Sequence, residues 1–129
     1  MKDYAPMARK IYAPVMEQYG LQFGATHETE FFLIGKGFAL WVFLDMRDAS
    51  SDTWYVSIDD NGNIMTYTLM YRMEKSLKPE DMAYYGKPET LDGHIAANMR
   101  VDVAWLLNRC PDLLSGDKAW LQGYEGKAH

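Results

Sequence analysis

The chain has 129 residues, 48% of them hydrophobic and 24% charged, the balance of one globular domain rather than of a disordered segment. Thirteen Lys and Arg against 18 Asp and Glu leave a formal net charge of −5, which opposes non-specific binding to nucleic acid and favours a basic partner. The lone cysteine, Cys110, excludes an intramolecular disulfide and suits a reducing compartment. Met1-Lys2-Asp3-Tyr4-Ala5-Pro6 lacks an apolar signal region, and the longest apolar run, Phe38 to Leu44, is too short for a bilayer. The expected setting is therefore cytoplasmic, with no membrane and no nucleic acid as partner. Aromatic residues reach 14%, and such side chains fill cores and are also favoured at protein interfaces.

Tyr4, Met7, Ala8, Ile11, Tyr12, Val15 and Tyr19 recur at the spacing of one helix face. Asp3 suits the N-cap, Pro6 falls harmlessly in the first turn, and Gly20 is a natural stop. Pro14 lies mid-helix, where a kink or break is expected. A first strand is predicted from Gln22 to Ile34, followed by a tight turn at Gly35-Lys36-Gly37. Phe38 to Met46 is apolar at nearly every position, which predicts a central strand covered on both faces. After the polar loop Arg47 to Asp52, a strand from Thr53 to Asp59 leads into Asn61-Gly62, a strong hairpin signal because both residues tolerate positive φ. The return strand is expected from Ile64 to Met73, by strict alternation.

Glu74 to Glu89 reads as loop, with a helical turn at Pro79-Glu80-Asp81-Met82. A long helix fits Leu91 to Arg109, capped by Thr90 or Asp92, with Ile95, Met99, Val103, Leu106 and Leu107 as its apolar stripe. Pro111 bars its continuation, and a short helix around Asp117 to Gln122 brings Trp120 and Leu121 to the core. Segregated elements in the order helix, four strands, helix predict an α+β fold. The expectation is an antiparallel sheet of four or more strands, flanked by an N-terminal and a C-terminal helix, in a single domain over residues 1–129.

No motif for chemistry stands out. His27, His94 and His129 lack ligand spacing, and Asp59-Asp60-Asn61-Gly62-Asn63 has its glycine too early for a calcium loop; no metal or cofactor is expected. His94 and Cys110 lie 16 residues apart on one helix, roughly 24 Å, so they cannot pair. No serine occupies a Gly-x-Ser-x-Gly elbow, and Gly35-Lys36-Gly37 is too short to cradle phosphate. Glu28 and Glu30 would share a strand face, for which solvation is the simpler account. What remains is acid at the surface. Asp45, Asp48, Asp52, Asp59 and Asp60 fall within 16 residues on neighbouring strands and loops, and Glu80 and Asp81 stand beside Tyr84 and Tyr85. Clustered carboxylates steer a basic partner, and tyrosines anchor interfaces.

The helix running into Tyr19-Gly20-Leu21-Gln22-Phe23, the aromatic strand Phe38-Ala39-Leu40-Trp41-Val42-Phe43-Leu44, the Asp-Asn-Gly hairpin, the acidic balance and the C-terminal helix together resemble immunity proteins of bacterial contact-dependent growth inhibition and polymorphic-toxin systems. That resemblance implies a cytoplasmic, non-enzymatic protein that binds and neutralises one cognate toxin domain, often a nuclease and so basic in its substrate groove. The carboxylates and tyrosines named above are the partner-binding candidates on that reading. Two alternatives stand beside it: a small acidic dimeric secretion chaperone, and a pocket-containing enzyme or ligand-binding domain lined by Trp41, Tyr67 and Tyr71.

Overall fold

The structure, a computed structural model, describes residues 2–129. It is α+β: one antiparallel sheet of six strands with helices before and after it. Helix α1 (Ala5–Tyr19) is followed by β1 (Gln22–His27), β2 (Glu30–Ile34), β3 (Phe38–Asp45), β4 (Ser50–Ile58) and β5 (Ile64–Thr68). Then come α2 (Met70–Ser76), α3 (Pro79–Met82), α4 (Leu91–Arg109), α5 (Pro111–Leu114) and the short strand β6 (Lys127–Ala128). The strands lie side by side in chain order.

Helix α1 runs unbroken through Pro14, which faces solvent, where water can serve the carbonyl left without a donor. Tyr4, not Asp3, is the N-cap residue, although Asp3 Oδ1 accepts the Ala5 N–H at 2.9 Å; Gly20 closes the helix in the left-handed region at φ 68°. The segment Gln22–Ile34 is a hairpin rather than one strand. Its turn at Glu28-Thr29 carries no Gly or Pro; the His27 imidazole holds it, accepting the Thr29 N–H at 3.3 Å. The segment Ile64–Met73 also divides. Pairing ends at Thr68, and Leu69, Met73 and Leu77, four apart, serve as a helical stripe as readily as an alternating strand. The outer side of β5 pairs with β6.

Register assigns the faces. Phe31, Leu33, Phe38, Leu40, Val42, Leu44 and Tyr55 point to one side and are buried there with Tyr4, Ala8, Tyr12 and Val15 of the N-terminal segment and Ile95, Met99, Trp105 and Leu106 of α4. Thr90 caps α4, its hydroxyl accepting the Gly93 N–H. The burial on α4 exceeds the predicted stripe: Ala97, Val101, Ala104 and Trp105 are also inside, because α1 packs against it as well as the sheet. Burying roughly this many large side chains, at about 1.5–3 kcal/mol each before the entropy cost, is what holds the helices on the sheet.

Candidate functional site

The predicted acidic residues divide between the two ends of β4, as their positions before and after that strand imply. Asp45, Asp48 and Asp52 stand at the β3–β4 turn, while Asp59 and Asp60 occupy the β4–β5 turn at the other end of β4, roughly 23 Å away over seven strand residues. Several of these carboxylates serve their own turns. Asp45 Oδ1 accepts the N–H groups of Arg47 (2.9 Å) and Asp48 (3.2 Å). Asp59 accepts the Asn63 side-chain amide (2.8 Å) and the backbone N–H groups of Asn63 (2.7 Å) and Asn61 (2.9 Å), which hold it below the ordinary carboxylate range. In that hairpin only Gly62 takes positive φ, at 80°; Asn61 does not, so the loop is a type I turn closed by a left-handed glycine.

The second group lies against α4. Asp81 is fully buried and presents no surface to a partner. It accepts hydrogen bonds from Asn108 (2.8 Å), the Lys78 backbone (3.0 Å) and Arg109 (3.1 Å). Burial opposes its ionisation, but those three donors outweigh burial and hold it charged. Glu80 is exposed and pairs with Arg109 at 2.6 Å. The half-buried Tyr85 meets His94 Nδ1 through its hydroxyl at 2.9 Å, and Tyr84 remains 58% exposed. Trp41, Tyr67 and Tyr71 form no common pocket: Trp41 and Tyr67 project from opposite faces of the sheet, and Tyr71 is exposed on α2. Nor do Glu28 and Glu30 share a strand, since Glu28 lies in the β1–β2 turn, its carboxylate 3.0 Å from His27 Nε2.

Two other features come together. The first is the sheet face turned away from the helices, so β3 is covered on one side only. It carries Phe32, Trp41, Phe43 and Trp54, with Val56 and the exposed Ile34, Ile58 and Ile64 beside them. Phe32 stacks on Trp41 (centroids 6.2 Å, planes 6° apart), and Trp41 meets Phe43 at 5.4 Å and Trp54 at 6.3 Å. None of these four aromatics belongs to the core cluster. Both indoles donate to carboxylates of the same face, Trp41 to Glu30 (2.9 Å) and Trp54 to Asp52 (3.2 Å), so an aromatic platform is bordered by fixed negative charge. Periodicity alone could not find this face, because β3 is apolar on both sides.

The second feature is a pocket of about 310 Å³ at the end of that platform, where β4 runs on past the end of β5 and meets α2 and α4. Phe43, Leu69, Met70, Met73, Trp105 and Leu106 supply apolar wall; Asp45, Asp52 and Asp102 supply carboxylates. Asp102 is half-buried and accepts the Ser51 hydroxyl at 2.6 Å. Burial raises its pKa to about 7, Asp52 adds to the rise, and the Ser51 hydrogen bond opposes it. Behind it the buried Tyr12 phenol is pushed well above its usual value, chiefly by burial. The Thr53 hydroxyl, in the pocket wall, faces that phenol and opposes the rise. No Lys, Arg, His or Cys lines the pocket. A sequence signal for Asp102 did exist: three residues after Met99 and four before Leu106, it is a lone carboxylate within the apolar stripe of α4.

Among the described residues no three His, Cys, Asp or Glu side chains converge as a metal site, and no helix is long and apolar enough to cross a membrane. No family model matches the chain, and no curated protein or solved structure matches it.

Proposed function

We propose that the chain is an immunity protein, binding and neutralising a cognate toxin domain through the helix-free face of its sheet. The observation that supports this reading is the platform of Phe32, Trp41, Phe43 and Trp54, bordered by Glu30 and Asp52. Aromatic side chains on a rigid sheet make interface anchors of low entropy cost, and the carboxylates around them match a basic surface such as a nuclease's substrate groove. The net charge of −5 adds steering at a distance. Of the acids singled out from sequence, Asp45, Asp48 and Asp52 adjoin this face at the β3–β4 turn, whereas Glu80 and Tyr84 sit on the helix side.

The test is co-expression with a toxin domain sought among the genes that neighbour this one. Wild-type chain should restore growth and co-purify with the toxin, and Trp41→Ala with Trp54→Ala should abolish both while the fold persists by circular dichroism. Full protection by the double variant would place the contact elsewhere. A tight dimer in sedimentation, lost in the same variant, would support the secretion-chaperone reading instead.

A further inference from the structure

The pocket at Asp102 differs from the platform in being concave, enclosed by α2 and α4, and acidic without any cation of its own. Asp102 is fed one hydrogen bond by Ser51, and every other charged or titratable group that faces it is acidic or phenolic: Asp52 from β4, Asp45 from the end of β3, and Tyr12 from α1. The Thr53 hydroxyl in the same wall faces the Tyr12 phenol behind it. Met70, Met73 and Trp105 make the rest of the wall soft and apolar. A volume of about 310 Å³ suits one small molecule or one long side chain.

We propose that this pocket takes an organic monocation on an apolar stem, an alkylammonium or guanidinium, with Asp102 as its counter-ion and Met70, Met73 and Trp105 around the stem. Three carboxylates that do not converge on a point exclude a compact metal ion and suit a charge spread over several N–H donors. The cation displaces whatever proton Asp102 holds, so a proton leaves where the carboxyl is neutral and none leaves where it is already ionised. The cation has two sources, a free amine or the Arg or Lys side chain of a partner protein. In the second case the inference rests on the binding reading above, and the pocket becomes the anchor hole at the end of the platform.

The probes are n-butylguanidinium and n-butylammonium, with neutral n-butylurea as the control, titrated into the full chain at pH 6 and pH 8. The readouts are amide chemical shifts of β4 and α4 together with tryptophan fluorescence. Saturable shifts at Ser51 and around Asp102 are expected from both cations and not from butylurea, with binding about tenfold weaker at pH 6 than at pH 8, following the ionised fraction of a carboxyl titrating near 7. Asp102→Asn keeps the hydrogen-bond acceptor for Ser51, so it should fold and weaken binding at least tenfold. Equal response to butylurea, unchanged affinity in Asp102→Asn, or no saturation by either cation would overturn the proposal. N-acetyl-arginine methylamide, compared with butylguanidinium, separates the sources: tighter binding by the peptide-like probe points to a protein side chain, and equal binding to a free amine. The pocket shares Phe43 and Asp52 with the platform but not Trp41 or Trp54, so failure of the probes leaves the toxin-binding reading standing, and failure of the Trp41 and Trp54 variants leaves the pocket standing.

Discussion

Ser51 donates its hydroxyl to Asp102 at 2.6 Å, fastening the half-buried start of β4 to the middle of α4. The bond helps keep a carboxyl in an apolar setting where burial favours its neutral form. A folded pKa raised to about 7 means that the native state binds a proton more tightly than the unfolded chain does. Stability is then highest below the ordinary carboxylate range, falls as pH rises from there, and levels off above 7. Asp102→Asn removes the penalty. It should leave stability near pH 4 almost unchanged and raise it at pH 8 by on the order of 2–4 kcal/mol, read from urea melts at the two pH values. A difference that does not vary with pH would contradict the assignment.

Asp81 has the opposite sign. Its depressed pKa makes it a source of stability above the ordinary carboxylate range, lost as pH falls through the folded value. Asp81→Ala strands Asn108, the Lys78 N–H and Arg109 and should cost about 3 kcal/mol at pH 7. Asp81→Asn should cost less, since an amide oxygen still accepts. Equal losses would mean that packing, not charge, decides.

Trp54 and Tyr55 are neighbours in sequence on opposite faces of β4. Tyr55 is 0% exposed, stacks on Phe38 at 5.6 Å and meets Trp120 edge-on at 4.9 Å. Tyr55→Ala should cost about 3–5 kcal/mol, as buried aromatic truncations do, whereas Trp54→Thr should stay within about 1 kcal/mol. Chemical denaturation of the two variants checks the contrast. Comparable losses would mean that the aromatic platform is structural rather than a contact surface.

Two glycines separate backbone cost from steric cost. At Gly62 φ is 80° and a Cβ would meet nothing within 4 Å, so Gly62→Ala should cost about 1 kcal/mol through conformation alone. At Gly35 a Cβ would fall 2.4 Å from the Phe38 ring, and Gly35→Ala should cost about 1–3 kcal/mol with a shift in the Phe38 resonances. Melting curves and aromatic NMR spectra distinguish the two.

Much of the fold was legible because single residues have single uses. Thr90 caps α4, Gly20 closes α1, and Gly62 bends the β4–β5 hairpin where the sequence placed them. The failures arose where one pattern serves two structures. Leu69, Met73 and Leu77 satisfy a helix, while the alternation through Leu69 and Tyr71 also satisfied a strand, and tertiary contact with the core decided between them. The Glu28-Thr29 turn lacks turn residues because the His27 ring supplies the hydrogen bond that a glycine turn would not need. The candidate site was less visible than the fold. Strand β3 hides its exposed face by being apolar throughout, and the acids chosen for proximity in sequence lie at opposite ends of β4. Asp102 was open to detection from its place in the helix stripe, but its partner Ser51 is 51 positions away and only the fold joins them.

The side-by-side order of β1 to β5 has a further consequence during synthesis. Each of these strands pairs with the one made just before it, so the meander can zip as the chain emerges. The helix that covers its apolar side is complete only at Arg109, 41 residues after β5 ends at Thr68. At about 5–20 residues per second, the ribosome leaves that side uncovered by α4 for roughly 2–8 s. During that interval the growing chain shows apolar surface on both sides of one sheet, Leu40 and Tyr55 on one and Trp41 and Trp54 on the other. Folding factors at the ribosome would meet the nascent chain in that form, before α4 covers the sheet.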